Sequence, residues 1–288
     1  LGWSDEVQTR FLLRYHRDAD VLRIDPPSID REVFTRPPFT DAFHYLRAER
    51  LGPRTTNAVS DFHVRDHRQL GSSGEYAEHY LYVFGHETID ERLLHGHGKA
   101  NDLRSQVQAW LHEISPGAEL HLEIHPGMDI VNLQYSFVTG DERSNKYRAT
   151  SVGFGITYAL PVLIAALSAK PGSILIVENP EAHLHPQGQA RMGEVLARAA
   201  SSGVQVIVET HSDHVLNGIR LAVHGKTIEP DRVAMHFFFR QQEAGRTRCR
   251  RESPVIDKDG RLDRWPDGFF DEWDKSLERL LSPAKQEV

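Results

Sequence analysis

The residues with the clearest chemistry lie in one stretch, Ile174-Leu175-Ile176-Val177-Glu178-Asn179-Pro180-Glu181-Ala182-His183-Leu184-His185-Pro186. Four large apolar residues end abruptly in a carboxylate, and a second carboxylate follows three positions later. This pattern predicts a buried β-strand that delivers an acid to its carboxyl end, where open α/β sheets bind ligands. An acid there can hold the Mg²⁺ of a phosphate ligand, through water. A second apolar run, Val204 to Val208, reads as the next buried strand and leads directly into Glu209-Thr210-His211-Ser212. A histidine at such an edge can hydrogen-bond a terminal phosphate and respond to its loss. Upstream, Ser151-Val152-Gly153-Phe154-Gly155 opens an apolar helical stretch. Small residues at a helix start let backbone N–H groups approach an anion, and the helix dipole adds to the attraction.

The elements that must position these groups are legible from periodicity. Phe154 to Leu167 reads as a helix, with Pro161 a potential kink, and Lys170-Pro171-Gly172 breaks it. Pro186 suits the first position of a helix carrying Met192, Val195, Leu196 and Ala199 on one face, with Gly203 just past its end. Ser212 or Asp213 can cap a helix through Val215, Leu216, Ile219 and Val223. Val233 to Phe239 reads as another strand. Strands alternating with helices imply a parallel sheet with crossover helices. Earlier, Val7, Phe11, Leu12 and Tyr15 have helical spacing, and Pro26-Pro27 and Pro37-Pro38 read as a linker. Asp102 to Ile114 reads as an amphipathic helix with Leu103, Val107, Trp110, Leu111 and Ile114 on one face. Leu120 to Ile124 and Ile130 to Val138 alternate as strands do.

Composition narrows the classes. The chain has 288 residues, 39% hydrophobic and 26% charged, with a formal net charge of -7. An acidic balance gives no global footprint for nucleic acid, though a local patch is compatible with it. The single cysteine, Cys249, rules out an internal disulfide framework and fits a reducing, cytoplasmic compartment. The longest apolar stretch, near Ala159 to Ala169, is too short to span a bilayer. The chain opens on Leu1 rather than Met, which suggests an N-terminally truncated sequence.

In their order, the three segments resemble the second half of an ABC/SMC-type ATPase head: signature loop, Walker B strand, D-loop and switch histidine. "ENPEAHLHP" followed by "VETHSDHVLNGIRLAV" resembles AAA-type ATPases related to the OLD (overcoming lysogenisation defect) and RecF-like proteins. "YLRAERLGPR" at 45–54, "SVGFGITYALPVLIAAL" at 151–167 and "RWPDGFFDEWDKSLERLL" at 264–281 resemble a bacterial branch with a small C-terminal domain of unknown function. The resemblance implies a P-loop NTPase-like α/β fold, a mostly parallel sheet with flanking helices, and a small C-terminal α+β extension. It implies a helical insertion remnant and linker at 1–40, an ATPase head at 41–240 and the small domain at 241–288. It implies ATP and Mg²⁺ as cofactors and a homodimer with ATP at the interface, with an effector protein or DNA as further partners and no membrane. DNA repair or phage defence is the implied setting.

Carried over by position, Ser151, Gly153 and Gly155 match the signature loop. Glu178 matches the Walker B acid that meets Mg²⁺ through water. His183, Leu184 and His185 match the D-loop, with His185 toward nucleotide, and His211 matches the switch histidine. Two departures follow. The position after Glu178, usually a glutamate that activates water, is Asn179, which orients water but cannot take its proton. Glu181 is the available substitute, and slow hydrolysis is expected. The alternative is a regulatory module that keeps the fold without hydrolysis. The second departure is that no Gly-x-x-x-x-Gly-Lys-Ser/Thr loop occurs in the sequence. Gly225-Lys226-Thr227 follows a helix, has Arg220 where the first glycine belongs, and reads as a helix-end turn.

Other groups have plainer readings. His183/His185 and His95/His97 are spaced as strand ligands for zinc, but the first pair belongs to the motif above and the second to a polar loop. Arg246, Arg248, Arg250 and Arg251 could touch nucleic-acid phosphate, while a solvated strand face accounts for them as well. Phe270, Trp273, Leu277 and Leu280 share a helical face that is expected to be buried as core or as a docking face.

Overall fold

The computed structural model describes residues 35–282, apart from 38 and 244, together with two short strands upstream. These are β1 (Leu12–Tyr15) and β2 (Leu22–Asp25), paired antiparallel. The helix expected across Leu12 to Tyr15 is therefore a strand. Four residues cannot separate helical from strand periodicity, and the Leu22–Asp25 segment supplies backbone partners. The rest of that expected helix lies outside the described residues.

The centre is a parallel sheet in the order β10-β9-β3, built from β3 (Phe43–Leu46), β9 (Ile174–Glu178) and β10 (Gln205–Glu209). The register sets Tyr45 beside Ile176, and Glu209 beside Glu178. The expected strand–helix alternation thus yields a parallel sheet with crossover helices. One face carries Leu46, Leu175 and Val177, all buried at 1% exposure or less. Against it pack α3 (Phe154–Ser168) and α4 (Pro186–Ser201), with α2 (Leu103–Ile114) beyond. The five residues expected on the apolar face of α2 are all buried. Asp102 caps that helix by accepting from the Ser105 N–H.

The opposite face of the sheet is largely uncovered by the described residues, with Tyr45 37% and Ile207 48% exposed. β10, expected to be buried, is instead a half-exposed edge strand, since β9 alone pairs with it among the described residues.

α5 (Asp213–His224) lies on α4. The two backbones nearly touch at Gly193 and Gly218: a Cβ on Gly218 would meet the Ala190 carbonyl oxygen at 2.0 Å. Ser212 caps α5 by accepting from the Val215 N–H. Gly225-Lys226-Thr227 is the turn after α5, as its sequence suggests, with Lys226 at φ +58.

A second sheet, antiparallel, joins β4 (Asn57–Ala58), β5 (Ala118–His125) and β6 (Ile130–Thr139), with β7 (Glu142–Arg143) and β8 (Tyr147–Arg148) also on β6. α1 (Ala77–Phe84) packs against it. Both sheets share one continuous apolar core. Inside that core, Glu78 of α1 is 5% exposed and lies near Tyr135. Burial raises the Glu78 carboxyl from 4.5 to about 7. The folded chain therefore holds this proton more tightly than the unfolded chain. The resulting stability is complete below about pH 4.5 and is lost as the pH rises through about 7. Glu78→Gln should remove a decline of about 3 kcal/mol between those limits. Urea midpoints of both proteins at the two ends of this range check it, and parallel pH profiles would refute it.

The C-terminal extension departs from expectation in two respects. The strand expected at Val233 to Phe239 is β11 (Phe237–Glu243), and it does not join the parallel sheet. It pairs antiparallel with β12 (Arg246–Glu252), so the expected boundary at 240/241 falls inside a strand. α6 (Glu272–Leu281) has the expected amphipathic spacing, yet Trp273, Leu277 and Leu280 are 70%, 39% and 81% exposed. Its apolar stripe is not covered by other described residues.

Candidate functional site

Each candidate residue is placed by the end of a β-strand or the start of a helix. β9 terminates at Glu178, and its carboxylate points between the tips of its neighbours. One oxygen accepts from the Tyr45 hydroxyl at 2.9 Å and the other from the Ala48 N–H at 2.9 Å. This hydrogen bond to Glu178 is the main cause that raises the Tyr45 hydroxyl above its ordinary value. Beyond Glu178 the chain turns sharply, with Asn179 at φ +42 and His183 at φ +62. Asparagine tolerates this left-handed region better than most residues. The Asn179 N–H donates to the Glu209 carbonyl at 2.9 Å, which ties the turn to the end of β10.

The second carboxylate joins the two strand ends from the other side. Glu181 accepts from the Thr210 hydroxyl at 2.7 Å and from the His211 N–H at 2.9 Å. The His211 side chain is 85% exposed and its Nε2 lies 3.2 Å from the Glu209 carboxylate. Its imidazole is open to a ligand.

α3 reaches the same edge. Ser151 and Gly153 are exposed before its first turn, and the Gly153 backbone caps it. Gly155 is different: it is buried, and a Cβ there would meet the His183 carbonyl oxygen at 2.4 Å. Its small size lets α3 lie against the 179–185 turn rather than exposing N–H groups to an anion. The His183 ring closes the contact, 4.8 Å from the Tyr158 ring and 5.5 Å from Phe154. His185 is exposed at the backbone cap of α4. Gly155→Val should lower stability by about 2 kcal/mol, as overpacking does. Gly153→Ala, with nothing within 4 Å of its added methyl group, should leave stability nearly unchanged. Denaturant midpoints distinguish the two, and equal shifts would contradict the packing role.

Two residues without a role in the sequence reading belong to this edge. One is Tyr45. The other is Arg50, a buried arginine at 2% exposure. Its guanidinium donates to the Glu178 carbonyl at 2.6 Å, the Asn179 carbonyl at 2.6 Å and the Arg47 carbonyl at 3.1 Å. It also lies over the Tyr158 ring at 5.4 Å. Desolvation lowers its pKa, against the opposing pull of Tyr158, Glu181 and Glu178. The available signal was an arginine within a partly apolar segment, Leu46 to Leu51. Nothing in that spacing shows that carbonyls 128 and 129 positions away converge on it.

Among the described residues, no group of three or more His, Cys, Asp or Glu side chains could hold a metal ion. Mg²⁺ fits this edge only as a phosphate-borne ion that keeps its waters and meets one carboxylate. Glu178 is the carboxylate so placed, and the zinc readings have no support in the geometry.

No curated protein matches the chain. One solved structure, titled "Structural biochemistry of ATP-driven dimerization and DNA stimulated activation of SMC ATPases", is 12% identical, with 72% of this chain and 99% of that one covered and a TM-score of 0.39. Another, "Crystal structure of the SmcHead bound to the C-winged helix domain of ScpA", is 15% identical over 51% of this chain, with a TM-score of 0.34. This chain spans 41% of the latter's length. Residues 228–280 match a protein family of unknown function, DUF3696. Residues 42–217 match the family described as "AAA domain, putative AbiEii toxin, Type IV TA system", and the chain belongs to this AAA-domain family.

Proposed function

We propose that this chain supplies part of the nucleotide site of an ABC/SMC-like ATPase that hydrolyses ATP slowly and dimerises around it. The observation that carries the reading is the convergence, at the carboxyl ends of two adjacent parallel strands, of Glu178, Asn179, Glu181 and His211. That is where an α/β sheet presents ligand-binding groups.

In this reading Glu178 orients a water of the Mg²⁺ that accompanies ATP. Its hydrogen bonds from the Tyr45 hydroxyl and the Ala48 N–H hold the carboxylate aimed. His211 donates to the terminal phosphate and relays its loss to Glu209 and the β10 edge. Asn179 orients the attacking water. Glu181 braces the two strand ends: both of its oxygens already accept hydrogen bonds, which makes it a poor base for that water. Ser151 and Gly153, exposed at the start of α3, face the nucleotide of a second copy, with His185 at the same interface. The bound nucleotide supplies a charged bridge between copies, and its hydrolysis releases them.

The test is Mg²⁺-ATP binding and turnover by the natural polypeptide, compared with Glu178→Gln and His211→Ala. Each substitution should lower turnover by about 100-fold, the scale of removing one preorganised electrostatic group. Unchanged turnover in both sinks the reading. If ATP binds and promotes dimers without turnover, the non-hydrolysing regulatory module is favoured, and Asn179 is the observation behind it.

A further inference from the structure

The antiparallel ribbon β11–β12 has no part in the site above and lies within the segment of unknown function. Among the described residues its two strands pair only with each other. Residues 237–252 contain five arginines against two glutamates, in a chain whose net charge is -7. The register arranges these charges. Arg246, Arg248 and Arg250 alternate along one face of β12 with Glu252 at its end, opposite Glu243, Gln241 and Phe239 of β11, so this face carries three arginines against both glutamates. Arg240 and Arg251 lie on the other face, with Cys249 and Phe238. Residues 246 to 251 are all exposed, and Phe238 is 64% exposed. The base of the ribbon is anchored, since Phe237 stacks on Phe239 at 5.7 Å and meets Phe269 at 5.3 Å. Among the described residues the far half is flanked by no other strand.

We infer that this ribbon is a docking element for duplex DNA, entering the major groove with arginines directed to the phosphates on either side. Three features carry the inference. The first is charge complementarity: a local excess of guanidinium groups in an otherwise acidic chain favours a polyanion. The second is fit. Two strands lie roughly 4.8 Å apart, and a major groove about 12 Å wide admits a two-stranded ribbon. Seven residues per strand reach roughly 24 Å, about two-thirds of a turn of B-form DNA. The third is spacing. Arginines at alternate positions rise by about 7 Å, close to two steps of the ~3.4 Å axial rise per phosphate on one strand. Arginine on both faces suits an element flanked by phosphates on both sides, and Gln241 and Gln242 can reach base edges. A solvated ribbon needs no such excess of one sign.

The lone cysteine provides a local probe, since Cys249 is exposed on the ribbon itself. Alkylation of Cys249 with a maleimide is measured alone and with a saturating short B-form duplex. Protection of about fivefold or more is expected. An unchanged rate overturns the proposal without any substitution. In parallel, duplex affinity is measured by fluorescence anisotropy across a salt series. The Arg246→Ser, Arg248→Ser, Arg250→Ser variant should bind at least tenfold more weakly, and its log–log salt slope should flatten by about 3. Wild-type binding by this variant overturns the proposal. A-form RNA has a deep, narrow major groove that excludes a ribbon, so duplex RNA should protect Cys249 poorly. Equal protection by duplex RNA, or by polyglutamate of matched charge, overturns groove docking. Neither assay involves ATP, so failure here leaves the nucleotide reading standing, and the reverse also holds.

Discussion

Arg50→Ala should destabilise the folded chain by about 3 kcal/mol, more than a typical single substitution. The guanidinium satisfies carbonyls of Arg47, Glu178 and Asn179, and removing it leaves them facing a cavity. Hydrogen bonds from a charged donor contribute about 1.5–3 kcal/mol each, and an orphaned buried carbonyl costs about 1–3 kcal/mol. Relaxation and entering water recover part of that sum. Arg50→Lys should recover little. An ammonium is a point charge and cannot span two carbonyls as a planar fork does. Chemical denaturation gives the first measure. A second readout separates support of the fold from positioning of the site. Because the fork grips the backbone on both sides of the Glu178–Asn179 bond, Mg²⁺-ATP affinity should fall in Arg50→Lys even where the protein remains fully folded. A Lys variant with wild-type stability and wild-type nucleotide affinity would refute the positioning role.

The second large effect is expected at Asn179, where two demands meet on one residue. Its backbone is at φ +42, and its side chain is placed for an attacking water in the proposed mechanism. Asn179→Ala should cost about 1 kcal/mol, the strain of an ordinary residue in the left-handed region. Asn179→Gly removes the amide and relieves that strain. In denaturation Gly should therefore match or exceed Asn, while Ala falls below. In turnover both should drop together, by about 100-fold, if the amide orders the water. Stability that distinguishes Ala from Gly, combined with turnover that does not, would assign both functions to the residue. Turnover unchanged in Asn179→Gly would leave Asn179 a backbone residue and favour the non-hydrolysing module.

The local elements were legible because short-range periodicity and capping set them. The helix at Leu103–Ile114 shows its buried face in the sequence, and the apolar run before Glu178 shows its strand, whereas the Asp102 cap came from the structure. Pro186 and Gly203 bracket the helix between them. The α/β class followed from alternation alone. Pairing partners did not, because they depend on segments far apart in the chain. Leu12–Tyr15 became a strand through a neighbour ten residues on, and the strand at 237–243 left the parallel sheet for Arg246–Glu252. Burial was misjudged for a related reason. The spacing of Trp273, Leu277 and Leu280 reveals an apolar face but not whether anything covers it.

The candidate site divides in the same way. By itself the sequence determined that acids and a histidine follow two apolar strands, since an apolar run followed by a polar residue is a local signal. Only the tertiary structure decided what each does at that edge. Gly155 makes room for the His183 carbonyl, Glu181 has both oxygens committed, and Asn179 satisfies a left-handed turn. Arg50 gathers carbonyls 128 and 129 positions away in sequence onto one side chain. Close approach, hydrogen-bond saturation and backbone strain arise between segments, so they exist only once the chain has closed on itself.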